Sequence, residues 1–105
     1  MAMKTSDQFA ALGHELRLNL FRYIIHSGKR GRTSGEIAAA FDMPASTRSA
    51  HLKRLERAGL LQVERGAESP PVYRVQEESM RKLVRFLVED CCESHPELCG
   101  ISFTR

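Results

Sequence analysis

Apolar residues recur at helical spacing through the first 58 positions and then give way to two short extended runs and one more periodic stretch. Phe9, Leu12 and Leu16 share one helical face, and Gly13 marks a break between two helices. Leu16, Leu20, Tyr23 and Ile24 repeat in the second of these, which Ser27-Gly28 closes. Lys29 to Arg32 reads as a basic loop. Thr33 or Ser34 can cap a third helix, with Glu36 in its first turn, where the helix dipole favours an acid. Ile37, Ala38 and Phe41 are its expected buried face, and it stops at Asp42-Met43-Pro44. A fourth helix runs from Ala45-Ser46 to Ala58 and ends at Gly59. Leu52 and Leu55 anchor its inner side, which leaves Ser46, Thr47, Ser49, Lys53 and Arg57 pointing outward.

Leu60 to Arg65 and Val72 to Val75 read as strands. Between them, Gly66-Ala-Glu-Ser-Pro-Pro71 suits a hairpin tip. The last helix begins near Glu77, where Met80, Leu83, Val84, Leu87, Val88 and Cys91 form an apolar stripe. Pro96 rules out helix continuing to the last cysteine. The predicted fold is mainly α with a β-hairpin wing, in the order α-α-α-α-β-β-α, as one winged-helix domain over residues 1–105.

Two short helices joined by a tight turn and followed by a hairpin make a winged helix-turn-helix, carried here by residues 34–55. Small Ala38 lets its two helices approach, and Ile37, Phe41 and Met43 fill the angle between them. The second helix offers short hydroxyls at Ser46, Thr47 and Ser49, able to approach base edges or phosphates closely. Charge agrees. The net +3 is modest, but residues 29–65 alone carry +4, whereas residues 76–105 carry −2. A mid-chain excess of this kind suits a phosphate backbone, although an ordinary solvated face has the same composition.

A length of 105 residues bounds the chain to one small domain. No apolar run approaches ~18 residues, so no membrane span is expected. The N-terminal Met-Ala-Met-Lys-Thr-Ser-Asp-Gln lacks the apolar region of a secretion signal, which makes the cytoplasm the default location. Thiols stay reduced there. All three cysteines, Cys91, Cys92 and Cys99, fall within nine residues in the segment 91–105. An odd number of clustered thiols favours soft-metal or redox work over a disulfide framework.

Three stretches resemble the ArsR/SmtB family of winged-helix metalloregulators, over roughly residues 6–90. Ala10-Ala-Leu-Gly-His-Glu-Leu-Arg-Leu-Asn-Leu-Phe21 looks like the start of that family's second helix. Pro44-Ala-Ser-Thr-Arg-Ser-Ala-His-Leu-Lys-Arg-Leu-Glu-Arg-Ala-Gly-Leu-Leu61 looks like its recognition helix, and Val72-Tyr-Arg-Val75 like the return strand of the wing. The middle stretch is the most specific. The resemblance implies a dimer that represses its own operon and leaves DNA when a metal or metalloid binds. It implies recognition by Ser46, Thr47, Ser49 and His51, with Lys53 among the basic side chains on backbone phosphate and Arg65 as a wing contact. His51 also has a plainer reading, as a half-buried packing residue beside Leu52. Arg48 departs from the family, which usually has an aliphatic residue there; it either snorkels to a phosphate or weakens the packing.

Many family members carry metal-binding cysteines on the first helix of the helix-turn-helix, but residues 33–40 contain none. The Cys-Cys-x6-Cys at 91–99 resembles instead a subgroup of arsenic-responsive repressors, whose three C-terminal thiolates bind trivalent arsenic or antimony and derepress an arsenical-resistance operon. The donor inventory fits, because trivalent arsenic keeps a lone pair and takes three sulfurs in a pyramid. Neighbouring residues on a helix point about 100° apart, so Cys91 and Cys92 need a break near Ser94-His95-Pro96 to bring Cys99 back. Two alternatives stand beside this one. Cys91, Cys92, His95 and Cys99 match the donors of a Cys₃His zinc site, although adjacent cysteines strain a tetrahedron. A redox or sulfide switch needs only two thiols. An enzyme is not expected, since acidic neighbours at a helix C-terminus raise thiol pKa and no partnered base is visible. The apolar stripe of the last helix predicts a homodimer through the first and last helices, with double-stranded operator DNA as the other partner.

Overall fold

The computed structural model describes residues 4–100, apart from the side chains of Cys91, Cys92 and Cys99. Helix α1 (Thr5–Leu12) and helix α2 (Glu15–Ile25) meet at the Gly13 break. His14 begins α2 as its N-cap, its ring accepting the Leu16 N–H at 3.2 Å. After a single 3-10 turn (Gly28–Arg30) come strand β1 (Arg32–Thr33), helix α3 (Ser34–Ala40) and helix α4 (Ala45–Arg57). Strands β2 (Leu61–Glu64) and β3 (Val72–Val75) form the wing, and helices α5 (Glu77–Ser94) and α6 (Pro96–Cys99) complete the described chain.

The expected order holds, with two additions. The basic loop at 29–32 is structured: its first half is the 3-10 turn, and its end pairs antiparallel with β3, Arg32 opposite Tyr73 and Thr33 opposite Val72. The hairpin is therefore a three-stranded sheet in the order β1-β3-β2, with Leu61 opposite Val75 and Glu64 opposite Val72 in its second ladder. Gly31 makes the approach possible. It has φ +79°, and a Cβ there would lie 2.8 Å from the Tyr73 carbonyl oxygen. The second addition is α6. Helix does end before Pro96, but one short helical turn re-forms beyond His95 and packs back against α5.

Thr33, rather than Ser34, caps α3 in a reciprocal capping box with Glu36. Ile37 is fully buried and Phe41 half-buried, but Ala38 is exposed, against the expected three-residue face. The physical reason is length. A seven-residue helix offers one inward ridge, and residues at i and i+4 occupy it, which leaves i+1 turned about 100° away. On α4 the assignment of faces is as expected: Leu52 and Leu55 are buried, while Ser46, Ser49, Lys53 and Arg57 are exposed and Thr47 is half-buried. The core joins Leu20, Phe21 and Ile24 of α2 to Ile37, Leu52, Leu55, Leu60, Leu61 and Leu83. On α1 the buried line is Gln8 and Ala11, and Phe9 and Leu12 lie only half inside. Gln8 pays for burial with a hydrogen bond, its Nε2 donating to the Ala58 carbonyl at 3.1 Å. Among the described side chains of the stripe on α5, Leu83 is buried and Met80 and Val88 half-buried, whereas Val84 and Leu87 are exposed.

Candidate nucleic-acid interface and effector segment

Helix α4 stands on the core by Leu52 and Leu55 and turns Ser46, Ser49, Lys53 and Arg57 to solvent. Short hydroxyls at its N-terminal end and cations further along are the arrangement that enters a major groove, where close approach and phosphate contact are both needed. Arg48 makes a contact within its own chain. Its Nη1 donates to the Met43 carbonyl at 3.3 Å, so the guanidinium braces the α3–α4 turn. The stem is half-buried, in the place an aliphatic side chain would fill.

His51 is half-buried, and its ring lies on His14 with centroids 4.6 Å apart and planes tilted by 48°. Burial pushes the His51 pKa down, and His14 and Arg17 lower it further. The ring therefore faces the α1–α2 corner of its own chain. Arg65, just past the end of β2 where the wing's loop begins, reaches α4, with Nη1 3.4 Å from Glu56 Oε2 and Nη2 3.5 Å from Oε1. The pair is exposed, so the guanidinium is held in place at little cost to its availability.

Three contacts had no signal in the periodicity. Arg32 lies 4.0 Å over the Tyr23 ring and donates from Nε to the Tyr23 carbonyl, which fixes β1 to α2. Arg17 Nε donates to the Ala11 carbonyl at 2.6 Å across the α1–α2 corner. Arg30 pairs with Glu36 at 2.8 Å. Sequence reasoning grouped these arginines only as charge; which of them are committed to the fold depends on partners up to nine residues away.

At the other end of the molecule, the backbone places Cys91 and Cys92 within the last turn of α5 and Cys99 at the end of α6. Their side chains lie outside the described residues. Among the described residues no three metal-ligating side chains converge. His95, the fourth donor of the zinc alternative, sits at the break between the helices with Nδ1 3.1 Å from a Glu97 carboxylate oxygen. No helix among the described residues is long and apolar enough to cross a membrane.

The helix-turn-helix domain family matches residues 12–64, and the chain belongs to it. Solved structures share the whole fold. An ArsR-like transcriptional regulator from Rhodococcus sp. RHA1 is 21% identical with a TM-score of 0.71, over 91% of this chain and 87% of that one. The homodimeric winged helix-turn-helix DNA-binding domain of a possible ArsR-family regulator from Mycobacterium bovis is 27% identical with a TM-score of 0.61, over 86% and 79%. A possible transcriptional regulator for arsenical resistance is 24% identical with a TM-score of 0.66, over 91% and 97%. Among curated proteins no relative matches. The family and fold are those of DNA-binding helix-turn-helix proteins, not of an enzyme.

Proposed function

We propose that this regulator is a homodimeric repressor that leaves its operator when trivalent arsenic or antimony binds Cys91, Cys92 and Cys99. The observation that carries this reading is the order of elements at the C-terminus. Two adjacent cysteines end α5, a break follows at His95, and a third cysteine ends the turn that packs back. Three soft donors on two short elements suit an ion that takes three sulfurs. The helix-turn-helix supplies the DNA side. Ser46, Thr47 and Ser49 approach base edges, Lys53 and Arg65 meet phosphate, and Arg48 sets the turn that aims them.

Exposed Val84 and Leu87 on α5 favour burial against a second copy, and one structural neighbour is a homodimer. Two recognition helices in such a dimer read half-sites about 34–36 Å apart. An ion that closes the α5–α6 end acts next to that face, and a coupling of about 1–3 kcal/mol between effector and operator is ordinary for such a link.

The test uses a duplex selected by the protein from a random-sequence pool. Arsenite or antimonite is expected to release the wild-type protein, and Cys99→Ser is expected to bind DNA normally but stay bound. X-ray absorption of the arsenite-loaded protein should count three sulfurs around arsenic. Release of Cys99→Ser at wild-type arsenite levels would sink the three-thiolate site, and an intramolecular disulfide under mild oxidant with arsenite inert would favour the redox alternative.

A further inference from the structure

Two histidines face each other where the recognition helix meets the α1–α2 corner, and nothing in effector release uses them. We propose that His14 is a positioning residue for α4: its ring seats His51 and so sets the recognition helix, and protonation of His51 weakens DNA binding. The proposal rests on the DNA-binding reading above and is independent of the arsenic site.

The geometry requires a neutral ring. His14 Nδ1 accepts the Leu16 N–H that caps α2, so its lone pair must be free and a neutral His14 carries its proton on Nε2. A proton on Nδ1 would set donor against donor. The His51 ring is 4.6 Å away and stands next to Leu52, one of the two inward anchors of α4. A change at this contact therefore tilts α4 about its own anchor, and Ser46, Thr47 and Ser49 lie on the turns just before it.

The charges around the pair have one sign. The groups facing His51 are His14 from the corner and Arg17 from α2, and Arg17 is held by its bond to the Ala11 carbonyl. Among the described residues no carboxylate forms an ion pair with either ring. An imidazolium on His51 is opposed by the Arg17 cation. Burial first, then His14 and Arg17, hold the folded His51 below its ordinary 6.5. The folded state thus binds this proton less well than the open joint, and the joint weakens as pH falls below that ordinary value. This direction is diagnostic. Protonated histidines that touch DNA add positive charge and tighten binding as pH falls. The joint predicts the opposite.

The experiment measures the affinity of the full chain for the selected duplex by fluorescence anisotropy at about pH 7.5 and about pH 5.5, at constant ionic strength. The wild type is expected to lose about fivefold or more on acidification. His14→Asn keeps an N-cap acceptor but takes away the ring that seats His51, so it is expected to bind more weakly than the wild type at the higher pH and, with the joint already open, to lose about twofold or less on acidification. Far-UV circular dichroism sets the lower pH at the most acidic value where helicity is unchanged. Long-range ¹H–¹⁵N spectra should place the His14 proton on Nε2. A wild-type profile that is flat or rises with acid, a His14→Asn profile that falls as the wild type does, or a His14 proton on Nδ1 overturns the joint. Failure to select any duplex overturns the DNA-binding reading and the joint with it; selection followed by a flat profile overturns the joint alone.

Discussion

Glu36 accepts the Thr33 backbone N–H at 2.9 Å and pairs with Arg30 at 2.8 Å, while the Thr33 hydroxyl accepts the Glu36 N–H at 3.1 Å. The Arg30 hydrogen bond first, then the Thr33 backbone, hold its carboxyl at about 2, below its ordinary 4.5. A carboxylate with a lowered folded pKa stabilises above its unfolded value and loses that contribution as pH falls through the folded one. The difference in Tm between wild type and Glu36→Gln is therefore expected at neutral pH, narrowing below about pH 4.5 and vanishing near pH 2, by melts across that range. Thr33→Ala removes the cap and is expected to cost about 1 kcal/mol in urea denaturation. A cap at Thr33 or Ser34 was legible in the sequence because its spacing is local; the reciprocal bond from Glu36 that settles it on Thr33 was not. The Arg30 partnership was not, since a loop arginine has no period to betray its partner.

Helix α4 was legible almost whole, both faces included, because thirteen residues give a 3.6-residue period enough turns to declare itself. Strand β1 was not. Two residues carry no alternation, and the strand exists only because Gly31 lets the chain lie against β3. Gly31→Ala brings a Cβ to 2.8 Å from the Tyr73 oxygen at φ +79°, so a loss of about 1–3 kcal/mol is expected by chemical denaturation. The tie between α1 and α4 is equally hidden, since Gln8 reads as a surface residue and bonds to a carbonyl fifty positions away. Gln8→Leu orphans that carbonyl and is expected to cost about 1–3 kcal/mol. On the outer face of α4, Lys53→Ala should lower the slope of log affinity against log salt by about 1 without changing the preferred sequence, read from binding isotherms at several salt concentrations.

At the scale of the whole molecule, α5 carries an apolar stripe that its own chain buries at Leu83, half-buries at Met80 and Val88, and leaves open at Val84 and Leu87. Val84 is 44% and Leu87 55% exposed, an apolar face that the proposed dimer would cover. Leu87→Glu is expected to shift the protein to monomer in analytical ultracentrifugation and to weaken binding to a two-half-site duplex far more than to a single half-site. The amino-acid order alone determined helices α1 to α5, the two-stranded hairpin of the wing, the inner and outer faces of α4 and the unusual grouping of the thiols, because these follow from short-range periodicity, capping and spacing. Tertiary structure decided which polar groups are spent inside the fold. Arg48 turns to Met43, His51 turns to His14 and Ala38 turns outward, because each choice depends on the distance to a neighbouring element. Periodicity can say that a residue stands on a face; only packing fixes what that face meets.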